Sequence, residues 1–178
     1  EYVAMVLGGV GAEHDISVVD APLGRRVAVA LDEYADPSWR PVGVRLMSDR
    51  MRELLDAAAP GSDHQLAWAR GLVWSASQPA ELEFVRGVLD GTTAVPGLAV
   101  DNDLRWRIVT RLAASGQIGP DEIAAELASD ATAAGEEKAT TARAALPLPD
   151  TKADAWAQIL GRVEAPNAIQ IAAAIGFI

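Results

Sequence analysis

Apolar residues recur three and four positions apart along almost the whole chain, the spacing that puts them on one face of an α-helix. From Glu13 to Leu31 the stripe is Ile16, Val19, Leu23, Val27 and Ala30. Pro22 lies inside it without a backbone N–H, so a kink or break is expected near Asp20. Asp36-Pro37 signals a turn. Pro41 then suits the first turn of a helix carrying Val44, Met47, Met51, Leu54 and Ala58, which Pro60-Gly61 ends. Asp63 is the expected N-cap of a helix to Trp74, with Leu66, Ala69 and Val73 on one face. Pro79 opens another with Leu82, Val85 and Leu89 inward, and Gly91 to Leu98 is a loop containing Pro96-Gly97.

The strongest signals fall between Asn102 and Ser115. Asp101 and Asp103 stand at the positive end of the helix dipole. Leu104, Ile108 and Leu112 form the stripe, and Asp101–Arg105 and Asp103–Arg107 are opposite charges one turn apart. Gly116 suits the residue after the helix end. Pro120 starts a helix with Ile123 and Leu127 inward, and a further helix spans Thr132 to Leu146. Asp150 or Thr151 is expected to cap a helix with Trp156, Ile159 and Leu160 inward, closed by Gly161. Pro166 begins the last helix, to Ile175. Tyr2 to Val10 reads as the end of a helix stopped by Gly8, Gly9 and Gly11. Only Val3–Leu7 and Arg25–Ala30 tempt a strand assignment. The expectation is all-α: roughly nine or ten helices with short loops, packed as an antiparallel, HEAT-like α-solenoid (an α-α superhelix). No fixed-period repeat of a named class is present.

Composition agrees and narrows the partners. Ala, Leu, Arg and Glu are strong helix formers, so the composition leans all-α. The 178 residues suffice for one helical domain, expected to span 1–178. A formal charge of −10 repels phosphate backbones and anionic lipid, which argues against nucleic-acid and membrane partners. There are no cysteines, so disulfide and thiolate chemistry is excluded and a reducing, cytoplasmic setting is permitted. No apolar run approaches the roughly 18 residues of a membrane helix. The chain opens on Glu1-Tyr2 without an initiator Met and runs straight into apolar sequence, so it is expected to begin mid-protein.

Catalytic chemistry is hard to find. His14 and His64 lie far apart, and neither belongs to a His-Glu-x-x-His helix. Each reads as a surface or helix-end histidine. Gly8-Gly9-Val10-Gly11 lacks the Lys-Ser/Thr sequel of a phosphate loop. No Gly-x-Ser-x-Gly elbow occurs. The acidic residues read as solvated helix faces paired with arginines. Five tryptophans, Trp39, Trp68, Trp74, Trp106 and Trp156, read as wedges between helices rather than as an aromatic cage. Arg105, Arg107 and Arg111 form a cluster that could hold a carboxylate, set against the plainer reading of a salt-bridged helix face. No catalytic and no metal-ligating residue is assigned; Arg105 and Arg107 are the candidate substrate contacts.

An ordered set of short segments carries a resemblance. It begins with Glu13-His-Asp-Ile-Ser17, Asp63-His-Gln-Leu-Ala-Trp-Ala69, Leu89-Asp-Gly-Thr92 and Val95-Pro-Gly-Leu98. It continues with Asp103-Leu-Arg-Trp106, Asp130-Ala-Thr-Ala-Ala-Gly135, Ala153-Asp-Ala-Trp156 and Pro166-Asn167. In order and spacing these resemble the C-terminal helical domain of aminopeptidase N-type zinc metallopeptidases (gluzincins). The branch is the bacterial one, with a domain like that of the endoplasmic-reticulum aminopeptidases. The resemblance covers nearly the whole chain, although no single segment is specific. It implies a non-catalytic domain that encloses a peptide chamber over the catalytic domain of the same parent chain. That parent would remove N-terminal residues from peptides with zinc held outside this segment, and this segment itself would hold no cofactor. None of the family's zinc or catalytic residues has a counterpart here. Pro22 with Gly24 departs from the family's continuous helix, and the family usually continues with more helix beyond Gly176-Phe177. A reading from a different class remains open: a free-standing HEAT-like scaffold that binds a protein partner along a concave face.

Overall fold

The computed structural model describes residues 1–21 and 26–177, without the side chains of residues 20 and 21. The described residues are all helical or loop, with no strand among them. Pro22, Leu23 and Gly24, on which the expected kink turns, lie outside them. The chain divides into two compact units, Glu1–Ala99 and Val100–Ile178.

The first unit holds α1 (Tyr2–Gly9), α2 (Ile16–Ala21), a π-helical stretch (Ala30–Tyr34), α3 (Arg40–Ala57), α4 (Asp63–Ser75) and α5 (Pro79–Asp90). Val3–Leu7 is helical, so the temptation to read a strand there is misplaced. Helix α1 also runs through Gly8-Gly9 and tightens into a 3₁₀ turn at Val10–Ala12, one step later than its glycines suggest. The core joins Val3, Leu7, Val19, Val27, Leu31, Met47, Met51, Leu55, Trp68 and Leu72. Arg50 adds a polar tie, its Nε donating to the Leu7 carbonyl at 3.1 Å.

Two details of this unit correct the sequence reading. The N-cap of α4 is Ser62, whose hydroxyl accepts from the Gln65 amide at 3.1 Å, and Asp63 is the first helical residue instead. A carboxylate at that position still meets the positive helix end, which is why the two assignments are easily exchanged. The inward face of α4 is also wider than Leu66, Ala69 and Val73: Trp68 and Leu72 are buried, while Leu66 is half-buried.

A recurring local device sets several helix starts and turns. Asp15, Asp36 and Asp90 each accept from the backbone N–H and the hydroxyl two residues on: Ser17, Ser38 and Thr92. The hydroxyl bonds are all 2.6 Å long. These hydrogen bonds, chiefly the hydroxyl ones, hold all three carboxyls below their ordinary pKa of 3.8. The Asp-x-Ser/Thr spacing was available in the sequence as a turn signal.

The second unit holds α6 (Asn102–Ala114), α7 (Pro120–Ser129), α8 (Ala133–Ala145), α9 (Pro149–Ile159) and α10 (Asn167–Phe177). Helix α8 is central, packing on α6, α7, α9 and α10. Asp101 caps α6 and Thr132 caps α8, each through a 2.9 Å bond to a backbone amide three residues on. Gly116 ends α6 as expected: its φ is 65°, and the Gln117 amide donates back to the Leu112 carbonyl at 2.8 Å.

Helix α9 departs from the sequence reading in two ways. It begins at Pro149 with no side-chain cap, and the Thr151 hydroxyl donates to the Leu148 carbonyl instead of capping the helix. Its buried residue is Ala155, while Trp156 and Leu160 are each 47% exposed. Of the expected inward residues, Ile159 packs on the Ala-rich face of α8 and α10, whereas the small Ala155, not the large indole of Trp156, fits against that face. Lys152 ties the three helices together. Its Nζ donates to the carbonyls of Ala144 (2.6 Å) and Phe177 (3.0 Å), at the negative ends of α8 and α10. Burial pushes the Lys152 ammonium below its ordinary pKa.

Candidate functional site

The candidate residues sit on α6, and their neighbours explain what each side chain does. Successive helical residues are turned by about 100°, so four in a row point around the full circle of the helix. Asp103, Leu104, Arg105 and Trp106 do so, and each reaches a different place. Leu104 enters the core. Asp103 accepts from Arg107 of its own helix at 2.8 Å and faces Lys138 of α8 at 3.6 Å. Arg105 forks onto Glu126 of α7, Nε to Oε1 at 2.6 Å and Nη2 to Oε2 at 2.7 Å. Trp106 is buried, and its indole N–H donates to Asp130 Oδ2 at 2.9 Å.

Asp130 in turn accepts from Thr132, the N-cap of α8, at 3.1 Å. Two segments quoted for the resemblance, Asp103–Trp106 and Asp130–Gly135, therefore meet in space through Trp106 and Asp130. Gly135 completes the corner, since a Cβ there would strike the Asp130 carbonyl.

The expected Asp101–Arg105 pair is replaced. Asp101 spends its carboxylate on the helix cap, and Arg105 turns to Glu126. The planar fork explains the choice: a two-point bond to a carboxylate that is only 11% exposed outweighs a single contact in water. The hydrogen bond to Glu126 raises the Arg105 pKa above its ordinary value, against the opposing effect of burial. Arg107, 53% exposed, keeps its expected partner Asp103. Arg111 occupies the last turn of the same helix.

Glu126, Asp130 and Lys138 are the members of this network that the pattern along the chain did not single out. They come from α7, from the residue that follows it and from α8, and single-sequence spacing reports only neighbours on one helix. The result is a charge-balanced seam: three carboxylates (Asp103, Glu126, Asp130) against Arg105, Arg107 and Lys138. Arg107 remains open to solvent, whereas both oxygens of Glu126 hold the Arg105 guanidinium.

The two histidines are placed apart from this seam. His14 is exposed. His64, in the first turn of α4, has Nε2 3.1 Å from the Glu13 carbonyl and its ring tilted against Trp68 at 5.9 Å. Among the described residues there is no group of three or more His, Asp or Glu side chains that could hold a metal ion. No helix among them is long and apolar enough to cross a membrane.

With the fold and the seam in view, residues 1–177 match the ERAP1-like C-terminal domain. The chain belongs to that family. It is also similar to the aminopeptidase N of Streptomyces lividans, with 47% identity over 178 residues. The match covers all of this chain and 21% of that protein, so the chain spans about a fifth of its relative's length.

Proposed function

We propose that this chain is the non-catalytic C-terminal domain of a zinc-dependent aminopeptidase of the aminopeptidase N type. In this reading it encloses the peptide chamber over the parent's catalytic domain. It shapes which peptides gain access while the catalytic half removes their N-terminal residues. One observation carries the proposal: the chain matches a C-terminal domain family from end to end and is similar to about a fifth of an aminopeptidase N. Zinc belongs to the catalytic half, where it would supply Lewis-acid chemistry for peptide hydrolysis. The residues of this chain would instead bind, orient and exclude. A cytoplasmic setting is part of the proposal, and a chain without cysteine is compatible with it.

Arg105 and Arg107 are the proposed contacts to the distal end of a peptide. Arg107 is the better placed, because its guanidinium is the more exposed of the two. Replacing both by alanine in the full parent enzyme should raise KM for long peptides and flatten the dependence on peptide length. An unchanged KM and length preference would remove both residues from substrate recognition.

The larger proposal is tested upstream of Glu1 at the native locus. A Gly-Ala-Met-Glu-Asn segment followed by a His-Glu-x-x-His helix supports it. A coding region with no catalytic half overturns it in favour of a free-standing scaffold.

A further inference from the structure

A groove of about 250 Å³ opens in the second unit between α8, α9 and the start of α10. An engineered cavity of about 150 Å³ is enough for benzene, so this groove has room for one long side chain. Its floor is formed by the nearly fully buried Ala144, Leu146 and Ala155, and its accessible apolar edge by Pro120 and Ile169. The hydroxyls that line it are already spent inside the fold. Thr140 donates to the Glu136 carbonyl at 2.8 Å and Thr151 to the Leu148 carbonyl at 2.9 Å.

The charges at the rim are uneven. Glu136 and Arg143 neutralise one another at 3.0 Å. Asp154 on α9 is exposed and has no ion-pair or hydrogen-bond partner for its side chain among the described residues. The groove therefore presents an apolar slot with one uncompensated carboxylate beside it. That combination matches a group with a methylene stem and a cationic head. An anionic head would meet Asp154 and would have to take Arg143 from Glu136. A purely apolar group would leave Asp154 unanswered.

We propose that this groove binds the lysine or arginine side chain of a peptide, with the stem along Pro120 and Ile169 and the cation at Asp154. The choice of a peptide rests on the chamber function proposed above; the choice of a cationic side chain rests on the groove alone.

The test is an NMR titration of the chain with N-acetyl-lysine methylamide, with the norleucine analogue, which keeps the stem and lacks the ammonium, and with the glutamate analogue. Lysine should cause saturable shifts at the amides of Ala144, Ala155 and Ile169, with a Kd on the order of millimolar. Norleucine should bind about fivefold more weakly and glutamate should not saturate, since an exposed ion pair contributes only modestly. Asp154→Asn should bring lysine down to the norleucine level, and Asp154→Lys should favour glutamate. Both changes are at an exposed position and leave the fold's buried contacts intact. Equal binding of lysine and norleucine, stronger binding of glutamate, or no saturable shift at the groove would each overturn the proposal. The titration needs no peptidase. A failed titration beside a catalytic half upstream removes the groove alone, whereas successful binding with no such half leaves the groove standing and removes the chamber.

Discussion

Two helix pairs show how differently the two units are built. In the first unit α3 meets α4 through large side chains, with Met47, Met51, Leu55, Trp68 and Leu72 buried. In the second unit α8 meets α10 through small ones: Ala144, Ala172, Ala173 and Gly176. A glycine lies at each crossing, and the obstacle it faces differs. A Cβ on Gly71 would meet Met51 Sδ at 2.7 Å, part of a flexible side chain. A Cβ on Gly176 would strike the Thr141 backbone carbonyl and lie 3.0 Å from the Ala144 Cβ. The first pair stores its stability in buried volume. The second stores it in the closeness of two backbones, where the Thr141 hydroxyl also donates to the Ala172 carbonyl at 3.1 Å. Loss of atoms should therefore hurt the first pair most, and gain of atoms the second.

Three changes, from the largest expected effect to the smallest, would sharpen or break that contrast. Leu72→Ala should destabilise by about 3 kcal/mol in chemical denaturation, because it empties volume in a core of large residues. A loss below about 1 kcal/mol would mean that the first unit's core collapses freely around the gap. Gly176→Ala should cost about 2 kcal/mol by overpacking against backbone. Gly71→Ala, opposed only by a thioether and helped by alanine's helix propensity, should stay within about 1 kcal/mol. Equal losses for the two glycines would end the distinction between the crossings.

Glu126→Gln tests the seam that joins α6 to α7. It removes the charge facing Arg105 and should cost about 1–2 kcal/mol. That is less than the roughly 3–5 kcal/mol of a fully buried pair, because Arg105 remains a third exposed to screening solvent. A cost indistinguishable from zero at low salt would make the pair incidental.

The smallest effect concerns acid. Asp36 has its carboxyl held below the ordinary value by Ser38. Its folded pKa lies below its unfolded one, so its contribution is present above about pH 4 and fades as pH falls through the folded value. Asp36→Asn should therefore lose less Tm than the parent sequence between about pH 5 and about pH 3. An equal or greater loss in the variant would contradict the hydrogen-bonded turn.

How much of this was legible in the chain follows from how local each cause is. Pro41, Pro79 and Pro120 sit in first turns, Gly116 follows the end of α6, and Thr132 starts α8, all as the sequence indicates. These depend on a residue's own φ or on an amide three positions away. Arg107–Asp103 was legible for the same reason, as one turn of one helix. Arg105 was placed on the right helix but given the wrong partner. Glu126 lies 21 residues on and reaches it only because α7 folds back beside α6.

The sequence by itself determined the all-helical class, most helix boundaries and the family, because periodicity, caps and an ordered set of short segments are properties of the chain. Tertiary structure alone decided which side of α9 faces inward, where Ala155 displaces Trp156. It decided that Trp106 and Asp130 close one corner, that Lys152 spans the ends of α8 and α10, and that Asp154 stands unanswered beside an apolar groove. Each of these depends on the shape and charge of a neighbouring helix, and one helix's own spacing carries no record of its neighbour.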